Sequence, residues 1–250
     1  MKKIIFNSII LLISIHQAFA QNNDAQAKQL INQLSKPYQK GQVVEISKFA
    51  QKPDDEAFKF LLNHRKALDT LMGQRFASVK LMALLTSTFI NPSLSTGNEP
   101  DWKTLQKTLR RYQTIGQETL LKAKYTYALD HQHWENYAQS YQEFFQAFGE
   151  GEGGLELNNA AWKVFKNTNN PKLLTYALGW SNLAQARTGG VTTLITGYMD
   201  TKANLLYKLG QKTQAIALQK KAITIAKQNN QRAADLESVL LKMQADEPTW

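Results

Sequence analysis

The sequence predicts an all-α protein made of stacked antiparallel helix pairs. Apolar residues recur at helical spacing along most of the chain, and the alternation typical of strands is weak. The 250 residues include 6 prolines and 13 glycines, which is few for a turn-rich β-sandwich or barrel. The turns between periodic segments are short, and short turns favour antiparallel neighbouring helices.

The composition excludes several classes of protein. The chain has no cysteine, which rules out a disulfide framework, a CxxC redox centre and Cys-ligated metal sites. Its hydrophobic fraction of 43% is too high for a disordered chain. The net charge is +10, but the basic residues are scattered and are not interleaved with aromatic residues in a binding motif. We therefore expect no nucleic-acid partner.

The first twenty residues have the pattern of a secretory signal peptide. Lys2 and Lys3 precede a mostly apolar stretch from Ile4 to Ile15, which is shorter than the about 20 apolar residues of a transmembrane helix. The sequence Ala18-Phe19-Ala20 supplies small residues of the kind that signal peptidase reads. A buried N-terminal helix is the alternative. The pattern predicts export to the periplasm, or secretion, and a mature chain with no membrane span.

The clearest amphipathic helix follows a turn at residues 130–133. Its apolar residues return at steps of three and four, which places on one helical face Trp134, Tyr137, Ala138, Tyr141, Phe144, Phe145 and Phe148. Residues 38–52 are ambiguous and include at most a short helix. The same spacing, with start signals such as Asn170-Pro171, predicts helices near residues 24–36, 54–72, 75–90, 101–114, 117–129, 133–148, 155–166, 171–187, 197–209, 213–228 and 231–244.

Three segments between these helices are predicted to be loops by composition. They are Asn91–Pro100 (NPSLSTGNEP), Gly149–Gly154 (GEGEGG) and Thr188–Thr193 (TGGVTT). The second contains no hydrophobic residue and is interpreted as a flexible linker. It lacks the lysine and the Ser or Thr of a phosphate-binding loop.

Residues 198–227 (YMDTKANLLYKLGQKTQAIALQKKAITIAK) carry a repeat pattern. Ala203 is a small residue in the first helix, and Ala215 and Ala222 follow on one face of the second. Small residues let two helices approach closely. This segment resembles a tetratricopeptide repeat, which implies a TPR-like α-solenoid. Lys227 stands where that repeat usually has a proline.

Three segments together carry a second resemblance: FKFLLNHRKALDTLMG (58–73), LNNAAWKVFKN (157–167) and residues 198–227. They are similar to the C-terminal helical half of exported bacterial proteins that contain a thioredoxin domain. This chain has no CxxC motif, and it has no room for a thioredoxin domain before residue 54. The redox activity of those relatives is therefore not carried over.

The predicted organisation has three parts. Residues 1–20 are the signal peptide, and residues 21–53 are a helical or irregular lead-in. Residues 54–250 are a TPR-like helical-repeat domain.

Histidines at two places in the sequence are candidate chemical sites. His131 and His133, flanked by Asp130 and Glu135, have a composition that suits a divalent metal. They occupy a predicted turn between helices, where polar residues are common, and we expect no metal and no cofactor. His64 lies on an apolar helical face and is expected to be a hydrogen-bonded core histidine rather than a catalytic group.

A basic ridge is predicted on one helix. Lys103, Lys107 and Arg111 recur every four residues opposite an apolar face, with Arg110 beside them. A solvated surface is the expected role, and docking of an acidic partner is the alternative.

The function expected is a non-enzymatic adaptor or scaffold of the bacterial cell envelope, because stacked helix pairs present surfaces that bind peptides and proteins. The alternative is a small-ligand-binding or enzymatic helical protein with an unrecognised site between helices. Tyr198, Tyr207 and Lys208 are the predicted partner contacts, and packing between repeats is the alternative for both tyrosines. The partner expected is an envelope protein or peptide; the second resemblance suggests a thioredoxin-fold protein acting in trans.

Export can be tested directly on the protein recovered from cells. We expect the mature chain to begin at Gln21, because cleavage follows Ala20. Mass spectrometry of the N-terminal peptide from the envelope fraction checks this. Recovery of protein with intact Met1 from the cytoplasm would contradict the prediction.

Overall fold

The computed structural model describes residues 22–189 and 192–250, without the side chains of residues 192 and 193. These residues form helices and turns and contain no strand, which confirms the all-α prediction. None of the helices in this part of the chain is long and apolar enough to cross a bilayer. The predicted signal peptide lies outside the described residues, as do Gly190 and Val191 of the third predicted loop.

The contacts divide the chain into two compact units. The first ends at Ala123 and the second begins at Lys124, so the boundary falls inside one helix. The first unit contains the described part of the predicted lead-in together with the first part of the predicted 54–250 domain.

In the first unit, α1 covers residues 22–32. The ambiguous segment 38–52 contains a helix, α2. A π-helical stretch, Thr86–Ile90, joins two of the later helices, and a 3-10 turn, Arg110–Tyr112, precedes the last. The remaining helices are α2 (Lys40–Phe49), α3 (Glu56–Met72), α4 (Phe76–Leu85), α5 (Asn91–Leu94), α6 (Trp102–Leu109) and the first part of α7 (Gln113–Asp130).

The predicted loop over residues 91–100 is wrong in its first four residues, which form α5. Pro92 lies in the first turn of this helix. The backbone is helical without a break from α4 through the π-helical stretch into α5, and a proline supplies no N–H to such a helix.

A buried carboxylate of the first unit, that of Glu118, forms an ion pair with the half-exposed Arg75. The guanidinium of Arg75 donates to both carboxylate oxygens of Glu118, at 2.8 and 2.6 Å. Burial by itself would raise the pKa of Glu118, but Arg75 and the nearby Lys122 outweigh it and hold that pKa below its usual range. The pair therefore keeps a charged carboxylate inside the unit.

The second unit contains the rest of α7 and six further helices, and from α8 onward each of these described helices packs on the next one along the chain. The six are α8 (Trp134–Phe148), α9 (Gly154–Asn167), α10 (Pro171–Ala186), α11 (Thr192–Lys208), α12 (Lys212–Gln228) and α13 (Ala234–Gln244). The most extensive contacts join α9 to α10 and α11 to α12. Further contacts join α10 to α11, α12 to α13 and α9 to α11.

Alanines lie where α11 and α12 pack together. Ala203 on α11 and Ala215 and Ala222 on α12 are fully buried. Ala203 and Ala215 belong to one apolar cluster with Leu206, Tyr207 and Met243. A methyl side chain at a helix contact permits a close approach of the two axes.

The glycine-rich segment 149–154 is anchored by contacts within the second unit. Gly149 to Gly151 form a 3-10 turn, and Gly154 is already the first residue of α9. Arg187, after α10, donates from Nη1 to the carbonyl oxygens of Gly149, at 3.0 Å, and Glu152. A Cβ at Gly154 would lie 3.0 Å from the carbonyl oxygen of Ala184. Glycine at this position therefore allows α9 to begin against the end of α10.

Replacement of Ala203 or Ala215 by leucine should destabilise the protein by about 1–3 kcal/mol for each change, because the added atoms overpack the contact between α11 and α12. Urea unfolding followed by circular dichroism measures the effect. Ala217→Leu is the matched control, since Ala217 is an exposed alanine of the same helix. Equal stability of all three variants would contradict close packing at these alanines.

Candidate functional site

Lys208 lies at the end of α11, beside the end of α9. Its Nζ donates a hydrogen bond of 2.7 Å to the carbonyl oxygen of Phe165. Phe165 is among the last residues of α9, whose final carbonyls have no partner within the helix. An ammonium group at this position satisfies such a carbonyl and also interacts favourably with the negative end of the helix dipole.

Two aromatic rings flank the same ammonium group. Lys208 Nζ lies 5.3 Å from the ring centroid of Phe165 and 4.7 Å from that of Trp250. Contacts of this kind contribute about 0.5–2 kcal/mol, depending on how far they are desolvated. Burial, followed by the charge of Lys166, lowers the pKa of Lys208 to about 8. The lysine is thus a partly desolvated cation with an aromatic surround.

Residues 245–250 fold back over the ends of α11 and α12. Asp246 has a positive φ of 63°, and the N–H of Glu247 donates to the carbonyl oxygen of Lys242, which closes the end of α13. Asp246 Oδ1 accepts from Lys212 Nζ and, at 3.3 Å, from the hydroxyl of Tyr207. These contacts hold the carboxylate of Asp246 between α11 and α12.

The contacts that hold residues 245–250 in place are weak. Trp250 is 44% exposed, and the centroid of its ring is 6.4 Å from the ring centroids of Phe165 and Tyr207. The Lys212–Asp246 ion pair is solvated, and exposed pairs contribute little because water and salt screen them. Thr249 Oγ1 is buried without a hydrogen-bond partner among the described residues, which costs free energy.

An exposed face of α9 lies near Phe165 and Lys208. Leu155, Asn159, Trp162 and Lys166 follow one another at steps of three and four residues, so they share one side of the helix. Leu155 is 50% exposed and Trp162 is 36% exposed. The ring of Trp162 packs on Phe165 at 5.0 Å, and Lys166 Nζ lies 6.0 Å from it. This α9 face offers apolar surface and positive charge together.

The structure brings two of the three predicted contact residues together. Tyr207 and Lys208 adjoin residues 245–250, whereas Tyr198 is nine residues before Tyr207, about 14 Å along the helix axis. Tyr198 is 3% exposed and Tyr207 is 5% exposed, which agrees with the alternative that these tyrosines pack between helices. Burial is the main cause that raises the pKa of each hydroxyl. Both rings fill helix contacts, because α11 packs against α9, α10 and α12.

The histidines considered in the sequence analysis lie among aromatic rings and backbone carbonyl groups. His64 is half-buried rather than in the core, with its ring 5.0 Å from that of Phe60, and burial and Lys36 lower its pKa. The rings of His131 and His133 are 5.9 Å apart, and His131 Nδ1 lies 2.9 Å from the carbonyl oxygen of Tyr127. Within residues 22–189 and 192–250, no three His, Asp or Glu side chains are placed to hold a metal ion.

In the basic ridge on α6 and the following 3-10 turn, Arg111 contacts other residues of the chain. Arg111 forms an ion pair with Asp54 at 2.9 Å and lies over the ring of Tyr112 at 4.8 Å. Lys103, Lys107 and Arg110 are exposed.

A polar cluster that the sequence analysis did not identify lies between α11 and α12. Gln219 Nε2 donates to Asp200 Oδ1 at 2.7 Å and to the carbonyl oxygen of Leu236 at 3.1 Å. Asn204 Nδ2 donates to the carbonyl oxygen of Asp200. Asn204 and Gln219 are fully buried, and their side-chain oxygens have no hydrogen-bond partner among the described residues. An isolated polar residue on an apolar helical face was the only sequence signal for this cluster.

Comparisons with family models, curated proteins and solved structures give no significant match to the chain.

The Asp200 carboxyl should make the stability of the protein depend on pH. Burial raises its pKa, hydrogen bonds from Gln219 and Asn204 oppose the increase, and the charge of Asp235 adds to it. A raised pKa in the folded state means that this carboxyl contributes stability below its unfolded pKa of about 3.9, and that the contribution is lost as pH rises through the folded pKa.

Asp200→Asn should therefore gain stability relative to the wild type as pH rises from about 4 to 7. Urea unfolding at several pH values measures the gap. The control is Asp130→Asn, which changes an exposed aspartate. A gap that stays constant over this range would contradict a raised pKa at Asp200.

Proposed function

We propose that the chain is an exported, non-enzymatic adaptor of the bacterial cell envelope that binds a protein or peptide through its second unit. The observation that carries the proposal is the α9 face, where Leu155 and Trp162 are exposed beside lysines. Large apolar side chains on a surface are typical of binding sites when they lie together, and tryptophan is enriched among the residues that dominate interface energies.

The second unit is proposed to be a TPR-like stack of helix pairs. Two observations support this architecture: each helix from α9 to α13 packs on the next in the chain, and α11 and α12 span the predicted repeat at residues 198–227. Buried alanines at the α11–α12 contact are consistent with the small residues of such repeats. Stacks of this kind expose one side of successive helices to partners.

Export to the periplasm, with secretion as the alternative, is part of the proposal and rests on the signal-peptide pattern of residues 1–20. A thioredoxin-fold protein in trans is one partner to test, on the strength of the resemblance alone. The contact residues now proposed are Trp162 and Lys208, since Tyr198 and Tyr207 are buried.

Crosslinking in living cells tests the adaptor function. A photoreactive amino acid at exposed Asn159, between Leu155 and Trp162 on the α9 face, should crosslink a specific envelope protein that mass spectrometry can identify. The same group at exposed Lys220 on α12 is the control.

Trp162→Ala should reduce the crosslinked product about 30-fold when the partner concentration is below saturation. The reason is that loss of an interface tryptophan weakens the free energy of binding by about 2 kcal/mol. The melting temperature of the variant shows whether the fold is intact. Products that are equal at positions 159 and 220, or that do not respond to Trp162→Ala in a folded variant, would overturn the proposal.

A further inference from the structure

The contacts of residues 246–250 show what kind of segment the end of the second unit accepts. A carboxylate, Asp246, lies between Lys212 and the hydroxyl of Tyr207. An aromatic ring, Trp250, lies over the ammonium group of Lys208. The receiving residues are Phe165, Tyr207, Lys208 and Lys212, which we call the lysine–aromatic surface.

The segment in place fits this surface imperfectly. Trp250 leaves 44% of its area exposed, and Thr249 Oγ1 is buried with no hydrogen-bond partner among the described residues. The Asp246 and Lys212 side chains are 70% and 49% exposed. A segment with the same charge and ring but without the unpaired hydroxyl would bind this surface more favourably.

We propose that the lysine–aromatic surface is a recognition site for an acidic, aromatic-containing peptide segment of a partner protein, and that residues 246–250 are its displaceable internal occupant. The inference rests on the proposed function, and it assigns to that function the chemistry of the partner. The positive charges of Lys208 and Lys212, with Lys166 nearby, complement an acidic segment.

A second copy of this chain is not the occupant that these contacts favour. Its segment has the same sequence and makes the same contacts, so it gains nothing over the internal one. The internal segment also benefits from an effective concentration in the millimolar range. Displacement therefore requires a different segment that fits better, and a partner protein can provide one.

The test uses the full chain and a synthetic peptide, ADEPTW, which corresponds to residues 245–250. The double variant Asp246→Asn with Trp250→Ala should bind the labelled peptide at least tenfold more tightly than the wild type, because its own segment no longer competes. Fluorescence anisotropy measures the affinity, and circular dichroism with the melting temperature verifies the fold. If the double variant does not fold, Trp250→Leu, which keeps an apolar side chain, replaces it.

Two controls examine the recognised groups. A peptide with asparagine in place of aspartate and alanine in place of tryptophan should bind at least tenfold more weakly. Adding Lys208→Gln to the double variant should weaken binding of the original peptide to a similar extent, while Lys220→Gln should not.

No binding of the peptide to the folded variant at millimolar concentration would overturn the inference, as would binding that is indifferent to both controls. Dimers of the wild type that disappear with Trp250→Ala would also overturn it, since a second copy would then be the occupant. In each of these cases the crosslinked product from position 159 would still be expected. Failure of the peptide-recognition inference is therefore distinguishable from failure of the adaptor function.

Discussion

The close packing of α11 on α12 through alanine side chains is the constraint on which the end of the second unit depends. Because Ala203 and Ala215 contribute methyl groups to this contact, the last turn of α11 and the first turn of α12 can lie side by side. Gly210, with a φ of +80°, permits the short turn between them. Tyr207, Lys208 and Lys212 are thereby placed around one position, where Asp246 and Trp250 reach them.

Lys208 links structural and binding roles in a single side chain. Its ammonium group satisfies a terminal carbonyl of α9 and contacts two aromatic rings, and both interactions favour the charged form. Burial and Lys166 act in the opposite direction and lower its pKa. The charged form of Lys208 is therefore sensitive to the group that covers it. A ligand carboxylate placed nearby would stabilise the ammonium group further.

Local sequence patterns predicted most helices but few of the contacts that form the site. The spacing of apolar residues and the Asn170-Pro171 start defined α8 and α10 closely, since one exposed and one buried face are enough to produce a period. That period fails on α11, where helices on several sides bury Tyr198 and Tyr207. The contacts from Lys208 to Phe165 and from Lys212 to Asp246 join residues 43 and 34 positions apart, and no local pattern records them.

The distribution of buried apolar surface indicates which part of the second unit opens most easily. α10 buries Leu173, Leu174, Ala177 and Trp180, whereas Met243 is the one fully buried residue of α13. Free energies of local opening follow the apolar contacts that are lost, so α13 and residues 245–250 should separate from α12 at lower cost than α10 from its neighbours. The polar Asp200 cluster also contacts α13, because Gln219 donates a hydrogen bond to the carbonyl oxygen of Leu236, which adds direction to the contact but little hydrophobic stabilisation. A surface next to a helix that opens at low cost can exchange its internal occupant without unfolding the helices that form it.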